Sequence, residues 1–350
     1  MLPNPKHILI IRLSAMGDVA MTVPVVRAFV AQHPEIKITV VSRPFFQPFF
    51  EGIPNVNFFG VDLKERHKGF IGLLRLFFDL RKLKIDAVAD LHNVLRSKIV
   101  RTLFALSGKK TAFTNKGRTE KKELTRAKNK IFKPLKSMFD RHCETFEKLG
   151  YSIDLRMPQF PKKAILSDEI VAITTTKTQK WIGIAPFAQY ESKVYPLDLM
   201  QQVIDELASD KNYKIFLFGG GEVEIQKLTK LQKQHKNVQV VAGKLKFKQE
   251  LEVISNLDLM LSMDSGNSHI AAMFGINVIT LWGATHPFAG FSPFNQPFEN
   301  CFVADRNQFP LLPTSIYGNK KVAGYEDAMR SISVATIIAT IQSKLPIIKS

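Results

Sequence analysis

The chain has 350 residues, 45% of them hydrophobic and 23% charged, which suits two folded domains and excludes disorder as the main state. Its 49 Lys and Arg against 31 Asp and Glu leave a net charge of +18, a balance that draws a protein to polyanions such as nucleic acid, an anionic membrane face or phosphorylated substrates. Cys143 and Cys301 are the only cysteines, which excludes a disulfide framework or a cysteine-based zinc site.

Residues 7–13 (HILIIRL) read as a short apolar strand. A turn at 14–17 follows, and Val19, Val23, Val26 and Val30 then recur at helical spacing. Residues 37–42 (KITVVS) and 87–91 read as further strands, and strand–helix–strand at this spacing predicts a parallel sheet. After a polar stretch at 174–180 the pattern restarts: strands at 181–185 and 214–218, an amphipathic helix at 197–207, and strands at 238–241, 259–262 and 278–281. Two α/β halves are therefore expected, joined near 160–180, with a last helix over 325–345. No run reaches the ~18–20 apolar residues that span a bilayer. Residues 1–7 lack a signal peptide's apolar core, and Arg12 breaks the first apolar run, so a cytosolic protein is expected.

Ligands of such sheets bind beyond the C-terminal ends of strands, and four places qualify. Asp18 follows a tight Ser14–Gly17 turn; by position alone it reads as a helix cap. Lys193 lies in the polar loop after the 181–185 strand, where it can meet a phosphate as a point charge or stay a plain surface lysine. Glu222 follows three glycines and reads equally as a sugar-binding carboxylate or a helix-start residue. Asp264, Ser265, Gly266 and His269 belong to a small, polar string (DSGNSH) opening a compact helix, a pattern that suits a pyrophosphate on exposed backbone N–H groups; read from position alone, His269 either touches the same phosphates or merely packs, and Asp264 can serve as a structural cap. The opening loop lacks a complete G-x-G-x-x-G, which argues against a dehydrogenase.

Three stretches together, ILIIRLSAMGDVAMTVPVVRA, DLHNVLRSKIVR (90–101) and MDSGNSHIAAMFGINVITLWGATHP (263–287), resemble the ADP-heptose-dependent lipopolysaccharide heptosyltransferases of glycosyltransferase family 9. The resemblance implies a GT-B fold of two Rossmann-like domains facing a central cleft. It places an acceptor domain at 1–165, a nucleotide-sugar domain at 175–324 and, at 325–350, a helix crossing back to the N-terminal half. It implies Asp18 as catalytic base and Lys193 as the residue that stabilises the donor. Glu222, Asp264, Ser265, Gly266 and His269 would bind the donor, and Arg96 the acceptor. The expected donor is ADP-heptose and the acceptor a lipid-linked saccharide of the inner core.

An inverting reaction is expected, without cofactor or metal, since no Asp-x-Asp triplet occurs in the sequence. Another nucleotide sugar, or an epimerase of the same fold, is the enzymatic alternative. A nucleic-acid-binding protein, motivated by the charge, lacks base-stacking motifs beside its basic cluster and ranks below. A catalytically dead sugar-binding relative is disfavoured by the presence of both Asp18 and Lys193. The cluster at 109–136 is expected to face anions, through either the anionic inner leaflet, with peripheral membrane association, or the acceptor's phosphates.

Overall fold

A computed structural model describes residues 6–346. In chain order the elements of the first half are β1 (His7–Ile11), α1 (Met16–Ala20), α2 (Thr22–Gln32), β2 (Lys37–Ser42), β3 (Val56–Gly60), α3 (Gly69–Arg81), β4 (Ala87–Asp90), α4 (Leu95–Leu106), β5 (Lys110–Phe113), α5 (Arg118–Thr125) and α6 (Met138–Glu147). The second half holds α7 (Asp168–Thr174), β6 (Lys180–Ala185), α8 (Leu197–Ser209), β7 (Tyr213–Leu217), α9 (Glu222–Gln232), β8 (Val238–Val240), α10 (Phe247–Ser255), β9 (Leu259–Met263), α11 (Gly266–Met273), β10 (Asn277–Trp282), β11 (Cys301–Val303) and α12 (Val334–Lys344).

The chain forms two compact units, 1–117 with 136–160, and 118–135 with 161–350. In the first, five strands run in the order β3-β2-β1-β4-β5, every pair parallel. In the second, six strands run β11-β10-β9-β6-β7-β8, again all parallel. The central strands are buried along their whole length, as HILII in β1 and LMLSM in β9 show. Helices on both faces of a parallel sheet select for such continuous apolar runs. One face of the first sheet packs Leu9, Ile11 and Val88 on Leu73, Leu76 and Phe77 of α3 and on Val100 and Phe104 of α4.

The unit boundaries differ from the expected 1–165 division. Residues 118–135 leave the first unit and belong to the second. Lys130 decides this locally: its Nζ donates to the carbonyls of Leu124 (3.1 Å), Leu311 (2.8 Å) and Pro313 (2.7 Å). Phe132 meets His286 edge-on and Phe288 at a tilt, Arg306 lies 3.5 Å over its ring, and the Leu135 N–H donates to Phe288 O. Lys121 is buried over the Phe291 ring at 4.1 Å. Two lysines of the expected anion-facing cluster are thus internal fasteners. Lys110 donates to Leu149 O, and Lys136 pairs with Glu144. Lys130→Gln is expected to destabilise the protein by about 1–3 kcal/mol, the cost of buried carbonyls losing their donor. Urea unfolding should show a lowered midpoint for Lys130→Gln and none for the exposed Lys122→Gln; equal midpoints would remove the fastening role.

The final helix is also placed differently. It starts at Val334, and Ile337 and Ile341 enter the core of the second unit with Tyr195, Met200 and Ile204. Tyr195 Oη donates to Ile332 O at 2.7 Å, fixing the approach to the helix. Its apolar stripe packs against α8, so the helix belongs to the second unit. The last four residues of the expected 325–350 element lie outside the described residues.

Candidate functional site

In an open parallel sheet, ligands gather beyond the strand C-termini where the strand order reverses. In the first unit that point lies between β1 and β4. Arg12, just past β1, is buried and reaches both sides: Nη1 donates to Leu91 O at 2.7 Å, and Nη2 pairs with Asp18 Oδ2 at 2.6 Å. Asp18 is the third residue of α1. Its Oδ2 also accepts the Ala15 N–H at 3.2 Å, the backward-reaching half of a capping box. The cap geometry read from the sequence is therefore present, and Arg12 fixes the same carboxylate. Asp18 nonetheless keeps about a third of its side chain in solvent, at 35% exposure.

The exit from β4 is shaped by Asp90, which is fully buried. One of its oxygens accepts the His92 and Asn93 N–H groups at 3.0 and 2.7 Å, and the other accepts Arg101 at 3.1 Å. That turn starts α4 at Leu95 and sets Arg96, exposed, in its first turn. His92 is buried, and its pKa is pushed down to about 3 by burial and then by Arg12 and Lys116. It is a neutral imidazole, whose Nδ1 accepts the Leu13 N–H at 3.4 Å. Beside it opens a cavity of ≈ 290 Å³ lined by Leu13, Ser14, Leu63 and Val94 with Arg43, Lys64, His92 and Arg96. Three cations and no carboxylate line it, so it suits an anionic ligand.

In the second unit the order reverses between β6 and β9. Lys193 ends a one-turn 3-10 helix, Glu191–Lys193, beyond β6, and Asp264 follows β9 directly. They meet there: Lys193 Nζ lies 3.1 Å from Asp264 Oδ2, which also accepts Thr285 Oγ1 at 2.8 Å. All three residues are buried. Lys193 is accordingly buried and paired, not a plain surface lysine. Gly318 covers its stem; a Cβ there would lie 2.7 Å from Lys193 Cγ. An ammonium has three N–H donors, so the pair with Asp264 leaves Lys193 able to serve a second acceptor.

Ser265 takes the N-cap position of α11 with its Oγ turned to Ser262 Oγ at 3.1 Å rather than to a helix N–H, and Gly266 opens the helix. His269 is buried one turn in. Glu222 is exposed at the first position of α9, after Gly221 at φ 77°. The carboxylate that caps this loop is Glu224, whose Oε2 accepts the Gly220 N–H at 2.8 Å. Next to Lys193 lies a cavity of ≈ 250 Å³ whose lining includes Tyr190, Ser192, Thr314, Asn319, Tyr325 and Glu326.

The first unit thus holds Asp18 and Arg96, and the second holds Lys193, Asp264, Ser265, Gly266 and His269 at one switch point. Arg12, His92 and Thr285 belong to these arrangements without having been singled out from sequence. Arg12 carried a signal, a charge closing an otherwise apolar strand. Thr285 lies 21 residues beyond Asp264, and nothing local marks it.

The family model for glycosyltransferase family 9 (heptosyltransferase) matches residues 73–312, more than half of the chain. The lipopolysaccharide core heptosyltransferase OpsX of Haemophilus influenzae is 27% identical over 301 residues, covering 83% of this chain and 82% of that protein. The lipopolysaccharide heptosyltransferase 1 of Campylobacter coli is 26% identical over 303 residues, covering 79% of this chain and 84% of that one. Among solved structures, a family 9 glycosyltransferase from Veillonella parvula superposes with a TM-score of 0.73 at 20% identity, covering 97% of both chains. The Escherichia coli heptosyltransferase WaaC with ADP gives 0.66 at 19% identity, covering 97% of this chain and 99% of that one. The two parallel-sheet units are those of the GT-B fold. Sequence match and fold agree that the chain belongs to glycosyltransferase family 9 and is a glycosyltransferase.

Proposed function

We propose that this enzyme transfers heptose from ADP-heptose to a lipid-linked acceptor of the lipopolysaccharide inner core, with inversion and without a metal. The observation that carries the reading is the buried Lys193–Asp264–Thr285 group beside the start of α11. Backbone N–H groups at a helix start favour a pyrophosphate, and a lysine held beside them offsets the charge that grows on the leaving group. Asp264 and Glu222 take donor hydroxyls, and Ser265, Gly266 and His269 line the phosphates. Arg96, with Arg43 and Lys64 of the cationic cavity, holds acidic groups of the acceptor.

In the reaction an acceptor hydroxyl oxygen bonds to the anomeric carbon as the carbon–phosphate oxygen bond breaks. ADP leaves with the electron pair, and the hydroxyl proton passes to Asp18. Displacement from the side opposite the leaving group inverts the anomeric centre. Metal independence rests on the lack of an Asp-x-Asp triplet. The acceptor's lipid places the work at the cytoplasmic face of the inner membrane, by peripheral contact and with no nucleic-acid partner. Among the described residues no helix is long and apolar enough to cross a membrane.

ADP at a hundred times its dissociation constant should stabilise the protein by about 2.7 kcal/mol, read as a rise in melting temperature. A melting point that no nucleoside diphosphate moves would remove the donor site. Product analysis with ADP-heptose and other nucleotide sugars tests the sugar, and epimerised donor without acceptor product would select the epimerase alternative. Activity should survive EDTA; loss restored by a divalent ion would overturn metal independence.

A further inference from the structure

Helix α3 carries apolar side chains on its outward face as well as on its core face. Leu73, Leu76, Phe77 and Leu80 enter the core, while Phe70, Ile71 and Phe78 are 63%, 67% and 57% exposed. At 3.6 residues per turn, Phe70, Leu74, Phe78 and Ile71 share one outward arc of about 100°. Arg81 falls within the arc, and Arg75 beside it. Helix α4 packs against α3 through the edge-to-face pair Phe77–Phe104, with centroids 5.0 Å apart. It adds Leu95 and Leu106, 74% and 80% exposed, and exposed Lys98. Large aromatic and aliphatic side chains clustered in water mark a contact surface.

The charge of the region selects the partner. Asp62 is taken up by the N–H groups of Lys64, Glu65 and Arg66, and Asp79 by Arg66 and Lys82. Lys68, Arg75, Arg81 and Lys98 are exposed around the apolar arc, against Glu65 as the exposed acid before it. An apolar ridge among cations is the pattern that seats a helix in the headgroup layer of anionic lipid. The cationic cavity lies at the same end: Leu63 and Lys64 precede α3, and Val94 and Arg96 begin α4. The basic run at 118–135 fits the role less well, since Lys121 and Lys130 are committed inside the second unit.

We propose that the outward face of α3, with Leu95 and Leu106 of α4, docks the enzyme on an anionic lipid surface. Docking there brings the mouth of the cationic cavity to the headgroup layer. The benefit to catalysis rests on the lipid-linked acceptor proposed above; the docking itself does not.

The test is co-sedimentation of the full chain with phosphatidylglycerol-containing vesicles and with phosphatidylcholine vesicles. The wild type should partition onto the anionic vesicles. Phe70→Ser/Ile71→Ser/Phe78→Ser should weaken that partition by roughly tenfold or more. Arg75→Gln/Arg81→Gln should erase the preference for anionic lipid, and Lys122→Gln/Lys128→Gln should change nothing. All three changed sites of the triple variant are exposed, so its melting temperature should match the wild type; if it unfolds, Phe78→Ser alone and the charge variant carry the test. Wild-type partition by the triple variant, or equal binding to both vesicles, would overturn the proposal. So would a wild-type dimer in sedimentation velocity that the triple variant breaks without any vesicle binding, which would make the face a self-association surface. No nucleotide sugar enters the assay, so docking can stand where ADP-heptose proves not to be the donor.

Discussion

Asp18→Asn is expected to lower turnover by ~10²–10⁴-fold, the usual worth of a general base. The substitution keeps the shape, and the amide oxygen can still accept from Arg12 and from the Ala15 N–H, as the carboxylate does. What it removes is the proton acceptor. Asp18 belongs to the first unit and the Lys193–Asp264 pair to the second, so the ADP-induced rise in melting temperature should be the same in the variant and the wild type. That combination, lost turnover with intact nucleotide binding, separates chemistry from folding. A melting temperature equal to wild type confirms that the cap survives. Turnover within a few-fold of wild type would leave Asp18 as the cap of α1 and a partner of Arg12, and nothing more.

Lys193→Ala should cost about 3–5 kcal/mol of stability, because it strands a buried carboxylate. Asp264 would keep only Thr285 Oγ1 among the two donors that meet its Oδ2. The void under Gly318, which packs on the lysine stem, adds to the loss. Urea unfolding measures it, and the ADP-induced thermal shift should fall with it. A second variant tells the two roles apart. Lys193→Met/Asp264→Asn removes both charges and keeps the volume, so it should recover much of the lost stability. It should not recover the ADP shift or turnover. Recovery of both would make the pair a structural element without a role at the donor. A single variant that unfolds at the wild-type midpoint would mean the pair is not held in solution.

Periodicity by itself determined the α/β class and the central strands, because a strand buried on both faces must be apolar at nearly every position. HILII, KITVVS, KWIGIA and LMLSM carry that constraint in their own residues. It also placed Asp18, Lys193 and Asp264 just beyond strand ends, where an open parallel sheet binds ligands. Of the four edge strands only β8 was legible. VNFFG in β3, KTAF in β5 and CFV in β11 are short, and Ala112 is the one buried residue among them, so they are released from the apolar rule. The 325–345 pattern overran its helix because Ile332 is buried by Tyr195, in extended backbone, rather than by a helical face. The basic run at 109–136 looks uniform as sequence, yet tertiary structure sends Lys130 to three carbonyls and leaves Lys122 in water. A charge reveals nothing of its partner until the chain closes. Lys193 and Asp264, 71 positions apart, become a buried pair because β6 and β9 are neighbours where the strand order reverses, and that adjacency is a property of the whole sheet.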